Sequence, residues 1–276
     1  GYPIYESQIN YQGGVPIPYN YVDNQNNFVI DIEKLKSSIS KKTKAIIYNN
    51  YQNPTGASSS IAEIEAIANI CIDNDLWVLS DEAYYEIRYS HKPPISIASF
   101  PGMKERTVIL YTFSKRFAMT GWRVGASIGP KKIVKHIAKL NINDESCTNH
   151  FIQCALASVM DKVDEDAKSI LNKLKGRRDI CVKLLNSIRG LSLLTPDSTF
   201  YLYLNVGELM ENKNIKDLEK FRINALKNTG VAFCTRSHFG SLNTRQDENY
   251  IRLAYSGINS EAIKEGLISF KNWIEN

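Results

Sequence analysis

The sequence has no apolar run approaching the roughly 20 residues that a bilayer-spanning helix needs, so no membrane segment is expected. Gly1-Tyr2-Pro3-Ile4-Tyr5 carries neither the basic nor the apolar stretch of a secretory signal, and no initiator methionine, so a preceding segment is expected. The five cysteines (Cys71, Cys147, Cys154, Cys181 and Cys234) are odd in number, form no Cys-x-x-Cys and stand at no zinc-like spacing from a histidine. Neither a disulfide framework nor a metal site is therefore expected, and reduced cysteines suit a cytoplasmic protein. Low complexity, heptads and a repeat of fixed period are all missing, which sets aside coiled coils and solenoids. A dense basic stripe is missing too. The net charge of +5 is spread thinly, and the groups Lys131-Lys132-Lys135 and Lys173-Lys175-Arg177-Arg178 read as solvated helix faces rather than a nucleic-acid surface.

What is present is a chain of 276 residues, 43% hydrophobic, enough for one large core or two unequal ones. Ala45-Ile46-Ile47-Tyr48 is a short apolar run of the buried-strand type, followed by the turn Asn53-Pro54-Thr55-Gly56. Ser60 with Glu63 forms a capping-box pattern, opening a helix whose apolar stripe is Ile61, Ile64, Ile67, Ala68 and Cys71. Leu76-Trp77-Val78-Leu79, Thr107 to Tyr111 and Val124 to Ile128 read as further strands. Strands separated by helices predict an α/β domain with a mainly parallel sheet flanked by helices. From about Asp161 the pattern changes. A long charged helix over 163–189 is followed by short strands at Tyr201 to Asn205, Val231 to Cys234 and Tyr250 to Tyr255, with helices near 215–228 and 260–274. This predicts a large domain over 1–165 and a smaller α+β domain over 166–276.

Four segments carry candidate chemistry, and each has a plainer alternative. Asn53-Pro54-Thr55-Gly56 follows a strand, but any turn favours Asn, Pro and Gly. Asp81 ends an apolar strand in Ser80-Asp81-Glu82-Ala83-Tyr84, where a carboxylate needs a partner or caps a turn. The segment Thr112-Phe113-Ser114-Lys115-Arg116-Phe117-Ala118-Met119-Thr120-Gly121-Trp122-Arg123-Val124-Gly125 joins two strands and places hydroxyls, a lysine and an arginine where α/β sheets bind ligands; a surface loop is the alternative. Arg252 alternates with Ile251 and Leu253, so it faces away from them, whether into a cleft or into solvent. Together the four supply what pyridoxal 5'-phosphate (PLP) requires. These are a lysine for its aldehyde, a carboxylate for its ring nitrogen, donors for its phenolic oxygen, and hydroxyls with a cation for its phosphate.

On these residues the sequence closely resembles the fold-type I, class I/II aminotransferases of the aspartate aminotransferase superfamily. The resemblance runs from Gly13-Gly14-Val15 to the last helix, and Thr112 to Gly125 is its most specific part. It implies that Lys115 forms the Schiff base and moves a proton, and that Asp81 pairs with the pyridinium nitrogen. It further implies that Asn53 and Tyr84 bond the phenolic oxygen, that Thr112, Ser114 and Arg123 hold the phosphate, and that Arg252 grips the substrate α-carboxylate. The implied activity is transfer of an amino group between an L-amino acid and a 2-oxo acid by a cytoplasmic homodimer. A lyase, cyclase or synthase on the same scaffold, or a non-catalytic PLP-fold protein, would share much of this pattern.

The sequence departs from the family in three ways. The family has a further N-terminal stretch that completes the site, with an aromatic ring on the cofactor, a phosphate-binding turn and a tyrosine given across the dimer. Ser198-Thr199-Phe200-Tyr201 replaces Gly-Ala-Phe-Tyr, and Thr235-Arg236 replaces a Pro-Gly pair. Arg236 with His238 is a candidate for the substrate's distal group, with an incidental surface loop as the alternative.

Overall fold

The structure is a computed structural model that describes residues 1–90, 93–241 and 249–276. Its strands are β1 (Tyr21–Asp23), β2 (Phe28–Ile30), β3 (Ala45–Tyr48), β4 (Trp77–Asp81), β5 (Thr107–Thr112), β6 (Gly125–Ile128), β7 (Ser192–Leu193), β8 (Tyr201–Asn205), β9 (Cys234–Thr235) and β10 (Tyr250–Ala254). The chain divides into two compact units. One comprises Ile30–Tyr51 and Ser58–Leu171; the other comprises Gly1–Val29, Gln52–Ala57 and Asn172–Asn276. The division falls inside the helix Asp164–Leu185.

The first unit is built on the sheet β3-β4-β5-β6. β3, β4 and β5 run parallel, and β6 runs antiparallel to β5. In β3 and β4, Ile46, Tyr48, Val78 and Ser80 are buried, so one row of alternating side chains faces the interior. The helix Ile61–Asp73 starts where the capping box requires. The Ser60 Oγ accepts from the Glu63 N–H, and the Glu63 carboxylate accepts from the Ser60 N–H. Its buried stripe is Ile64, Ile67, Ala68 and Cys71, joined by Ile70. Ile61, expected in that stripe, is instead 60% exposed, because the first helical position precedes the turn that meets the core. The 14-residue helix Lys131–Asp144 buries none of its residues and leaves Leu140 and Ile142 exposed.

The second unit holds the antiparallel sheet β7-β8-β10-β9. The helices Leu218–Thr229 and Ser260–Glu275 bury Phe221, Ala225, Ile263, Leu267, Phe270 and Ile274, and Phe221 stacks on Trp273 at 5.4 Å. The strand expected at Val231 to Cys234 lies later, at Cys234–Thr235: Val231–Phe233 are not strand, and β9 meets β10 only at Ile251 and Arg252. On the sheet's other side, Tyr203 and Tyr250 stack with centroids 4.7 Å apart, and both pack on Phe28. Such a pair adds roughly 0.5–1.5 kcal/mol beyond the area it buries.

Candidate active site

In the first unit the candidate groups cluster at the carboxyl ends of parallel strands. Asp81 is the last residue of β4 and Thr112 the last of β5, with Asp81 in register with Leu110. One Asp81 oxygen accepts from the Ala83 N–H at 3.1 Å, and its carbonyl accepts from Asn49 Nδ2 at 2.8 Å. The carboxylate therefore does cap the turn that follows β4. That turn brings Tyr84 inward, where it is 4% exposed.

β5 leads directly into the one-turn helix Phe113–Arg116. Thr112 starts that turn, its Oγ1 accepting from the Ser114 N–H at 3.2 Å. Lys115 lies in the turn with its Nζ 5.7 Å from the Tyr84 ring centroid. The segment then returns through Thr120–Trp122 to Arg123, whose φ of 53° is left-handed. Arg123 donates to the Thr120 carbonyl at 2.8 Å. Thr112, Ser114 and Arg123 together line a cavity of about 500 Å³, whose lining also includes Val134, Ile137 and Ala138. Ser114 is buried at 5% exposure. Lys115, Asp81 and Tyr84 are not part of that lining.

Two neighbouring carboxylates escaped the sequence reading. Glu82 is buried and accepts from Ser80 Oγ at 2.9 Å and Ser96 Oγ at 2.5 Å. Burial pushes its carboxyl above the ordinary range, against the two hydroxyl bonds that pull it down. Glu86 accepts from Tyr111 Oη at 2.5 Å and pairs with Arg116 at 2.7 Å. Burial first, then Glu86, raises the Tyr111 phenol well above its ordinary value. Apart from Ser80, two residues before Glu82, the partners lie 14 to 30 residues away, so no local spacing marks these contacts.

In the second unit, Arg252 and Asn53 meet although 199 positions separate them: Arg252 Nη1 donates to Asn53 Oδ1 at 2.9 Å. Ile251 and Leu253 are buried on one face of β10, and Arg252 occupies the other. Its guanidinium lies between the Tyr201 ring at 4.1 Å and the Phe239 ring at 4.6 Å. Nη2 is 3.7 Å from Cys234 Sγ. Its Nε is buried with no hydrogen-bond partner among the described residues. Tyr201, Phe239 and Cys234 come from other segments, and no spacing around Arg252 marks them.

The family departures have local explanations here. Gly56 is left-handed at φ 72°, and a Cβ there would stand 2.5 Å from the Pro196 Cβ. The Ser198 hydroxyl is 3.1 Å from the Gly56 carbonyl oxygen and 3.2 Å from that of Ala57, so it ties down the turn that carries Asn53. Thr235 bonds Glu219, Ser237 and His238. Arg236 donates to the carbonyls of Phe239, Gly240 and Ser241. Both candidates for a substrate's distal group therefore have partners in their own loop.

Parallel strands ending in Asp81 and Thr112, with a lysine turn beside a hydroxyl- and arginine-lined cavity, are an arrangement that suits a PLP-dependent transferase. Comparison narrows this. The family model "Aminotransferase class I and II" matches residues 1–270, and the chain belongs to that family. It is 31% identical over 274 residues to the aspartate aminotransferase of Bacillus subtilis (strain 168), covering 98% of this chain and 67% of that protein. Against the aspartate aminotransferase of Geobacillus stearothermophilus the identity is 31%, over 91% and 63%. The crystal structure of an aromatic aminotransferase from Pyrococcus horikoshii OT3 superposes with a TM-score of 0.86 at 30% identity, over 95% of this chain and 68% of that one. The chain thus spans about two thirds of the length of the relatives it matches. No helix among the described residues is long and apolar enough to cross a membrane.

Proposed function

We propose that this chain is the greater part of a PLP-dependent aminotransferase, which moves an amino group between an L-amino acid and a 2-oxo acid and works as a cytoplasmic homodimer. The observation that carries the reading is one cavity lined by Thr112, Ser114 and Arg123 beside the Lys115 turn. A phosphate dianion suits that donor set. When bound, PLP supplies an aldehyde and an electron sink for the carbanion formed at the substrate Cα. Lys115 gives its amine to hold the cofactor and then carries the proton at Cα. Asp81, at the sheet's carboxyl edge, keeps a proton on the ring nitrogen. Tyr84 and Asn53 donate to the phenolic oxygen; the Asn53 amide oxygen already accepts from Arg252, which turns its nitrogen end toward the donor role. Arg252 takes the substrate α-carboxylate. Its buried Nε lacks an acceptor among the described residues, and a buried donor of that kind calls for one.

The test is chemical. Incubating the full chain with PLP, reducing with borohydride and mapping the peptides should place the label on Lys115, and an added 2-oxo acid should be converted into its amino acid. Label on another lysine, or ammonia release without a new amino acid, would refute the reading. Light scattering across concentrations should give the mass of two chains.

A further inference from the structure

We propose that Glu86 and Arg116 form a positioning pair that sets Lys115 against Tyr84. The inference rests on Lys115 being the cofactor lysine. Lys115 lies in a helix of four residues, too short to hold its own direction. Its beginning is fixed by the Thr112 cap, and the chain leaving it is held by the Met119 N–H on the Ser114 carbonyl at 3.0 Å. A third bond, from the Phe113 N–H to the Val124 carbonyl at 3.3 Å, ties down its first residue, and all three act on backbone rather than on the side chains the turn projects. Successive helical residues project about 100° apart, so anchoring Arg116 fixes the direction of Lys115.

Glu86 supplies that anchor from both sides of the lysine. One carboxylate oxygen pairs with Arg116 Nη1 at 2.7 Å, and the other accepts from Tyr111 Oη at 2.5 Å. Tyr111 belongs to the strand entering the turn and Arg116 directly follows Lys115, so a single carboxylate brackets the lysine. Glu86 also stands two residues beyond Tyr84. Hydrogen bonds from the Tyr85 N–H to the Glu82 carbonyl at 3.1 Å and from the Ile87 N–H to the Tyr84 carbonyl at 3.0 Å stiffen the link. The segment holding Tyr84 and the segment holding Lys115 are thereby tied at a second point, beside the 5.7 Å approach of Nζ to the Tyr84 ring.

Arg116 is not placed to bind substrate. Its side chain is 14% exposed, its other terminal nitrogen pairs with Asp164, and its guanidinium lies 5.0 Å from the Phe117 ring. Glu86 is 27% exposed, so solvent screens the pair only in part.

The test uses the full chain with PLP. Arg116→Ala should slow covalent trapping of PLP on Lys115 and lower kcat on the order of tenfold to a hundredfold, as misplacement by an ångström does, with KM nearly unchanged. Arg116→Lys keeps the charge and should fall between Arg116→Ala and the parent. Glu86→Gln keeps an acceptor for Tyr111 but loses the ion pair and should resemble Arg116→Lys. The double variant Glu86→Gln/Arg116→Ala should be no worse than Arg116→Ala alone, since residues acting as a unit are non-additive. If Arg116→Ala does not fold, the Lys and Gln variants carry the same prediction. Trapping rates and kcat equal to the parent's in folded variants, or losses that simply add, would overturn the pair. Label on a lysine other than Lys115 in the parent would instead refute the cofactor assignment, so the two failures are distinguishable.

Discussion

The two units hold their candidate groups by different means. In the first, Asp81 and Thr112 sit where strands stop, and Lys115 lies in the one-turn helix that follows. In the second, Arg252 sits inside a strand, bonded to Asn53 and pressed between two aromatic rings. A group at a strand end can move a proton or accept a covalent partner, but its aim depends on side chains beside it. A group within a strand is aimed by the sheet and suits a fixed task such as gripping a carboxylate. Substitutions in the first unit should therefore damage chemistry, and those in the second should damage substrate capture as well.

The largest effect should come from Lys115→Ala. Its amine is the only group proposed to bond the cofactor covalently, so turnover and borohydride-fixed label should both vanish while the protein stays folded. Retained turnover would break the contrast at once. Next comes Asp81→Asn. An amide caps the Ala83 N–H as well as a carboxylate does, so the turn should survive. It cannot keep a proton on the ring nitrogen, so cofactor binding should persist while most activity is lost. Near-normal kcat in that variant would make Asp81 a structural cap and nothing more.

Arg252 gives an intermediate effect with a different signature. Each charge-assisted hydrogen bond to a carboxylate is worth roughly 1.5–3 kcal/mol. Arg252→Ala should therefore raise KM for amino and 2-oxo acids alike and lower kcat with it, leaving cofactor trapping intact. Arg252→Lys keeps charge but loses the planar fork between the Tyr201 and Phe239 rings, and should fall between. A kcat/KM within about twofold of the parent for every substrate would remove Arg252 from the carboxylate role.

The contrast also explains what could be read in the sequence. Local rules sufficed wherever both partners lie within a few residues. The Ser60–Glu63 box, the alternation around Arg252 and the strand-to-turn setting of Lys115 are of this kind. They failed where tertiary packing decides. Nothing near Glu86 announces Arg116, and nothing near Ser198 announces Gly56 at 142 positions' distance. Ile61 shows the same limit in reverse: its spacing fits the helix stripe, and its place at the helix start exposes it. The Lys115 segment was legible because the chemistry is concentrated in consecutive residues. Arg252 was legible as a face but not as a cage, because Tyr201 and Phe239 arrive from other segments.

The smallest effect should be one of stability, at Glu82. It lies beside Asp81 yet is buried, with hydroxyls of Ser80 and Ser96 on its carboxylate. Burial raises its folded-state pKa above the value expected in the unfolded chain, despite those hydroxyls. A carboxyl with a raised folded pKa contributes stability that is fully present below its unfolded pKa and is lost as pH rises through the folded value. Glu82 should therefore make the protein less stable near neutral pH than just below the ordinary glutamate range, as far as this group alone is concerned. Glu82→Gln has nearly the same shape, and its amide oxygen accepts from the same two hydroxyls, but it does not titrate. Denaturant melts of the parent and of Glu82→Gln should show the difference in unfolding free energy shifting toward the Gln variant as pH rises from about 4, near the ordinary glutamate value, to 7. A difference that stays constant across that range would mean Glu82 titrates alike in the folded and unfolded chain. The Ser80–Glu82–Ser96 cluster would then be an ordinary hydrogen-bonded tether rather than a group ionised against its surroundings.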